Sequence, residues 1–186
     1  MTSLVSLWLP ILVSAVVVFL ASWIVHMVLP HHRSDFAKLP QEDTVLDTLR
    51  SLNIPTDQYL APYANTMAQM KQPEYVEKRK RGPAIFLAVA AGPDPGMGKP
   101  LAQWFVYLLV ISLVIAYLTS GAIAIGAPYR VVFKFVCVAA LLVYALGHPH
   151  QSIWYRQRWR ATVAYLIDGL IYALLTAGVF GWLWPR

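Results

Sequence analysis

Residues 161–184, ATVAYLIDGLIYALLTAGVFGWLW, constrain this chain more than any other stretch. At roughly 1.5 Å per residue they are about long enough to cross a hydrocarbon core some 30 Å thick. Within the run Gly169, Ala173, Ala177 and Gly181 recur at every fourth position, which lines four small side chains along one helical face. In lipid, helices associate through packing rather than through a hydrophobic force, so such a face invites close approach by another backbone. The neighbour is either another helix of the same chain or a second subunit. Asp168 sits beside this row, and it is the one acidic residue in any of the long apolar runs. It shares a helical row with Tyr165 and Tyr172. One helix thus carries both a docking face and the residue most costly to bury.

Three more apolar runs complete an all-α integral membrane architecture. The first occupies residues 1–30 and ends at Pro30. It has no positive leader and no small-residue cleavage site, so it reads as an uncleaved span rather than a signal peptide. The others fall at about 101–118 and 129–147, with 161–184 as the fourth span, inside a membrane region of residues 100–186. Only 13% of the chain is charged, against about 25% in soluble domains. A single cysteine, Cys137, rules out an internal disulfide and a CxxC metal site.

Residues 31–99 are the one sizeable polar segment and read as a membrane-associated insertion. QEDTVLDTLRSL predicts a short amphipathic helix with Val45, Leu46, Leu49 and Leu52 on one face and acids in its first turn. The following residues, 53–72, read as a loop. PEYVEKRKR, opened by Pro73 and closed by Gly82, predicts a second short helix. Residues 84–91, AIFLAVAA, are too short to span; a strand, an interfacial segment and a buried loop wall all fit. GPDPGMGKP lacks the spacing of a phosphate loop and reads as a turn-rich approach to the second span.

Twelve of the fifteen Lys and Arg residues fall in 31–99 or in the loop after the third span, the latter supplying Arg156, Arg158 and Arg160. The positive-inside bias then places these segments in the cytoplasm and both termini outside. Lys78, Arg79, Lys80 and Arg81, with the three loop arginines, suit anionic lipid headgroups better than nucleic acid. The bilayer is the expected partner, alone or with a homo-oligomer or larger membrane complex.

All five histidines gather at the predicted inner face: His26, His31, His32, His148 and His150. Imidazole suits zinc, copper, iron or nickel, but no HExxH motif fixes a site. Hydrogen bonds to headgroups or carbonyls fit the same residues, and no cofactor is expected. His26, on a row with Ser22, lies at a depth similar to that of Asp168. A polar clasp joining Asp168 to His26, Tyr165, Tyr172, Ser22 or bound water is therefore expected. No GxSxG elbow or paired intramembrane carboxylates mark a hydrolase.

The four-span plan, the stretch VHMVLPHHRSDFAKLP and the terminal IDGLIYALLTAGVFGWLWP resemble short bacterial inner-membrane proteins of unknown function. The resemblance implies a bacterial cytoplasmic membrane and no particular activity. The expectation from sequence is a small structural or accessory subunit of a membrane complex. The rival readings are a minimal proton- or ion-coupled transporter using Asp168 and the histidines, and a metal- or haem-dependent membrane protein.

Overall fold

Apolar runs of this length satisfy their backbone groups internally as helices, and that is the form they take. The structure is a computed structural model that describes residues 3–90, 92 and 96–186. The chain is mostly helical. Among the described residues four helical stretches are long and apolar enough to cross a membrane: Leu4–Val28, Gly98–Ala122, Tyr129–Tyr155 and Trp159–Trp182. The chain divides into two units, residues 1–37 with 96–186, and residues 38–95.

In chain order, a 3-10 turn Leu4–Leu7 leads into helix α1 (Trp8–Trp23), which continues as a π-helical turn, Ile24–Val28, and a 3-10 turn, Pro30–His32. The polar unit follows with α2 (Glu42–Ser51), β1 (Asp57–Ala61), α3 (Met67–Met70), α4 (Pro73–Arg81) and β2 (Ile85–Val89). Helices α5 (Gly98–Ala122), α6 (Tyr129–Tyr144), α7 (Pro149–Tyr155) and α8 (Trp159–Trp182) close the chain.

Within the polar unit β1 and β2 pair antiparallel, Asp57 opposite Val89 and Ala61 opposite Ile85. Of the three readings open for residues 84–91, the strand is the one found, over Ile85–Val89; Ala91 lies outside the described residues, as do Pro93–Pro95 of the turn-rich approach. The loop expected over 53–72 is corrected: it contains β1 and α3, the latter held by a reciprocal capping box between Thr66 and Gln69. A strand whose partner lies more than a score of residues away leaves no local periodicity to read. Helices α2 and α4 form where expected, and Lys78, Arg79, Lys80 and Arg81 stand exposed on α4.

In the membrane unit α8 packs against α6 and α1, and α1 packs in turn against α5. Leu7, Val18, Leu108, Val132, Val136 and Phe180 are fully buried between them, while Leu113, Leu118, Val138, Leu142, Leu170 and Leu174 face outward. In water that outer surface would be a liability; in a bilayer it faces its own solvent. Ser14 and Ser112 join α1 to α5 through a buried hydroxyl pair 3.0 Å apart.

The small-residue row of α8 faces α6, so its neighbour is internal. A Cβ added at Gly169 would fall on the carbonyl group of Tyr144 and lie 2.8 Å from the Ala145 Cα; one at Gly181 would lie 2.7 Å from the Tyr129 ring. Ala173 and Ala177 are fully buried. The second span runs on to Ala122, past the end expected near Leu118. Thr119 returns a hydroxyl bond to the Ile115 carbonyl and Ser120 to that of Tyr117, so neither residue breaks the helix. The segment after the third span, expected as loop, includes α7, which Pro149 opens at a position where its missing N–H costs nothing.

Gly169 and Gly178 lie on the same helix but differ in surroundings, since an added Cβ at Gly178 comes no nearer than 4.0 Å to any atom. Gly169→Ala should therefore destabilise the detergent-solubilised protein by about 1–3 kcal/mol, as overpacking does. Gly178→Ala should be neutral or slightly stabilising. Thermal melting of the two variants side by side checks this.

Candidate functional site

Helix α8 brings Asp168 to an interior position where its side chain is only 2% exposed. A carboxylate there needs hydrogen bonds and opposing charge, because lipid supplies neither. Two imidazoles provide them. His31 Nε2 lies 3.0 Å from Oδ1 of Asp168 and His32 Nε2 lies 2.6 Å from Oδ2, each ring N–H donating to the carboxylate. On its other side His32 Nδ1 donates to Oδ2 of Asp35 at 2.6 Å. His32 is thus held between two carboxylates. Burial is the largest single influence on it and pulls its pKa down. The hydrogen bonds to Asp35 and Asp168, with the charges of both carboxylates, together outweigh that and hold it above the usual histidine value.

These residues meet because of how α1 ends. His26 Nδ1 donates to the Ser22 carbonyl at 3.0 Å, the oxygen that in a regular α-turn would accept from the backbone N–H of residue 26. The turn widens, and the backbone N–H of Leu29 reaches back five residues to the Ile24 carbonyl at 3.1 Å. Pro30 then starts the 3-10 turn that carries His31 and His32 to α8, and Arg158 secures its far side by donating to the Ser34 carbonyl at 3.3 Å. The His26 ring stacks on His32 with centroids 4.4 Å apart and planes 10° from parallel. Tyr165 lies 5.1 Å from His32 and stacks on His148 at 5.1 Å. The donor atoms of His26, His32 and Asp168 all fall within 4.8 Å of one another.

The expected clasp therefore exists with different partners. Asp168 hydrogen-bonds to His31 and His32, not to His26, Tyr165, Tyr172 or Ser22. Ser22 is engaged elsewhere: its hydroxyl donates to the Phe19 carbonyl at 2.8 Å and accepts from Trp104 Nε1 at 2.9 Å. His150 stays apart, with Nδ1 donating to the Gly147 carbonyl at 2.8 Å. Arg156, Arg158 and Arg160 are exposed. Asp35 is the participant that the sequence reading missed. Its signal was its place three residues after His32, one turn away.

Asp168, His26, Tyr165 and His148 also line a cavity of about 550 Å³. The cavity lies between the first half of α5 and the last turn of α6, with α1 and α8 completing it. Its walls include Phe19, Trp104, Ile111 and Tyr144. Tyr172 also lines it, set edge-on to Tyr144 with ring centroids 5.8 Å apart. No protein-family model, curated protein or solved structure matches this chain.

Replacing His32 by Ala leaves Asp168 with His31 alone and removes the partner of Asp35 Oδ2. The expected cost is about 1–3 kcal/mol of stability, the price of a buried acceptor left unmade. His150→Ala, which touches neither carboxylate, should leave the melting temperature unchanged in the same assay.

Proposed function

We propose that this chain is a multi-pass membrane protein that binds a divalent transition-metal ion through His26, His32 and Asp168. The observation that carries the reading is the state of the far ring nitrogens. Metal-binding histidines characteristically donate their second N–H to a carbonyl or carboxylate, which fixes the tautomer and the ring plane. Here His26 Nδ1 donates to the Ser22 carbonyl and His32 Nδ1 to Asp35, so both Nε2 atoms are the ones left for an ion. His31, on the other oxygen of Asp168, orients the carboxylate. Binding replaces the proton between His32 Nε2 and Asp168, and the Asp35 bond persists as the outer support of the imidazole.

Two imidazoles and one carboxylate suit zinc, iron(II), cobalt or nickel better than magnesium or calcium, which take all-oxygen sites. Three protein ligands also leave positions for a water or a substrate oxygen, where a Lewis acid can act. The accessory-subunit expectation drew on the lack of a catalytic motif, on a polar clasp and on the small-residue face of α8; that face meets α6 within the chain at Gly169 and Gly181. The positive-inside bias supports a cytoplasmic polar unit and outer termini, which gives the metal cluster the cytoplasmic end of the bundle.

Cobalt(II) titration of the purified, chelator-treated chain tests the metal reading, with visible absorption as the readout. One ion per chain is expected, with binding abolished in Asp168→Asn and weakened about 10–100-fold in Asp35→Asn. Absence of binding, or binding unchanged in His32→Ala, would leave the cluster as a structural clasp. Reporter fusions after Arg186 and within residues 53–72 should score on opposite faces of the membrane. A cytoplasmic C-terminus would overturn the orientation.

A further inference from the structure

We infer that the cavity beside Asp168 binds a lipid-soluble molecule with one long apolar chain and a neutral oxygen head, a hydroxyl or a carbonyl. The site follows from the cavity's walls and hydroxyls and stands apart from the metal reading above. Three observations point the same way.

The first is size and lining. At about 550 Å³ the space falls within the roughly 300–1,000 Å³ of small-molecule sites, and its walls of Phe19, Leu101, Trp104 and Ile111 offer water few partners. The second is access. Trp23, Met27 and Tyr107 line the cavity and are also exposed on the outside of the bundle. They belong to helices read as membrane spans, so the medium that meets them is lipid. The third is polarity. Tyr144 and Tyr172 both line the cavity, and their buried hydroxyls (each residue 5% exposed) have no hydrogen-bond partner among the described residues. A phenol O–H without a partner calls for an acceptor, which a hydroxyl or carbonyl oxygen supplies. Asp168, the acidic residue that lines the cavity, disfavours an anionic head.

The test uses the full chain in lipid nanodiscs and a diazirine-bearing long-chain alcohol as the probe. Saturable photolabelling is expected on peptides containing Trp104, Ile111 and Tyr172. Unlabelled alcohol should compete better than the alkane of equal length by roughly fivefold, the worth of about one hydrogen bond. Tyr172→Phe should weaken that preference, and Tyr172→Phe combined with Tyr144→Phe should erase it, while labelling persists. Gly147→Trp should remove most of the labelling, since Gly147 lines the cavity and a side chain there meets nothing within 4 Å. Unsaturable labelling spread over Leu113, Leu170 and Leu174 would overturn the inference, as would an alkane that competes equally. If Gly147→Trp fails to fold, the Tyr172→Phe comparison decides. Cobalt binding is measured on the same preparations: saturable labelling without cobalt overturns only the metal, and cobalt binding without saturable labelling overturns only the chain site.

Discussion

A carboxylate inside a membrane helix cannot be left to the solvent, and the architecture at one end of this bundle is arranged around that demand. Asp168 reaches the interior because α8 packs on both sides, against α6 through its small-residue row and against α1. The close approach at Gly169, one residue on, brings the Tyr144 carbonyl near and leaves no room for a lipid chain to substitute for a protein partner. His31 and His32 answer the carboxylate, and Asp35 answers His32 in turn. The series of bonds runs from Asp168 through His32 to Asp35 Oδ2, and close by Arg158 donates to the Ser34 carbonyl.

The two ends of the membrane unit are built on different principles. At the far end, where α5 turns into α6, the chain is sewn with backbone and indole bonds. Gly126 donates its N–H to the Pro185 carbonyl at 2.9 Å, and Trp184 Nε1 donates to the Ala124 carbonyl at 3.0 Å. Of the two closing tryptophans only Trp182 faces outward, 76% exposed, while Trp184 is buried as a clamp. At the near end titratable side chains take the place of these bonds, and a cavity takes the place of close packing. Asp168, its imidazole partners and the cavity share this end, while neutral hydroxyl contacts such as Ser14–Ser112 lie further along the helices.

What the sequence made legible is what depends on composition and period. Four runs of apolar residues predicted four membrane helices, and an every-fourth row of small residues predicted a close helical neighbour. The partner of that row was not legible, since Gly169 and Gly181 read the same whether they meet α6 or another subunit. Asp168 announced itself by its cost, but its partners did not. His26 was one of the candidates, because a regular helix through residues 22–26 puts it at a similar depth. The actual partners lie beyond the helix end, on a turn whose direction is set by a widened backbone that no periodicity reports. The strand pairing of Asp57–Ala61 with Ile85–Val89 was hidden for the same reason, being a long-range match between two short, ordinary stretches.

The widened turn at Ile24–Val28 has a consequence for phase. Each residue of an α-helix advances the chain by roughly 100° about the axis, at 3.6 residues per turn. A turn that closes over five residues holds back part of one such step, so everything after it leaves the membrane at an angle that a uniform helix would not give. The direction in which Pro30 departs is therefore a matter of counting along the backbone. The site depends on an integer, the number of residues between the packed body of α1 and the pair of imidazoles, as much as on the identity of those imidazoles.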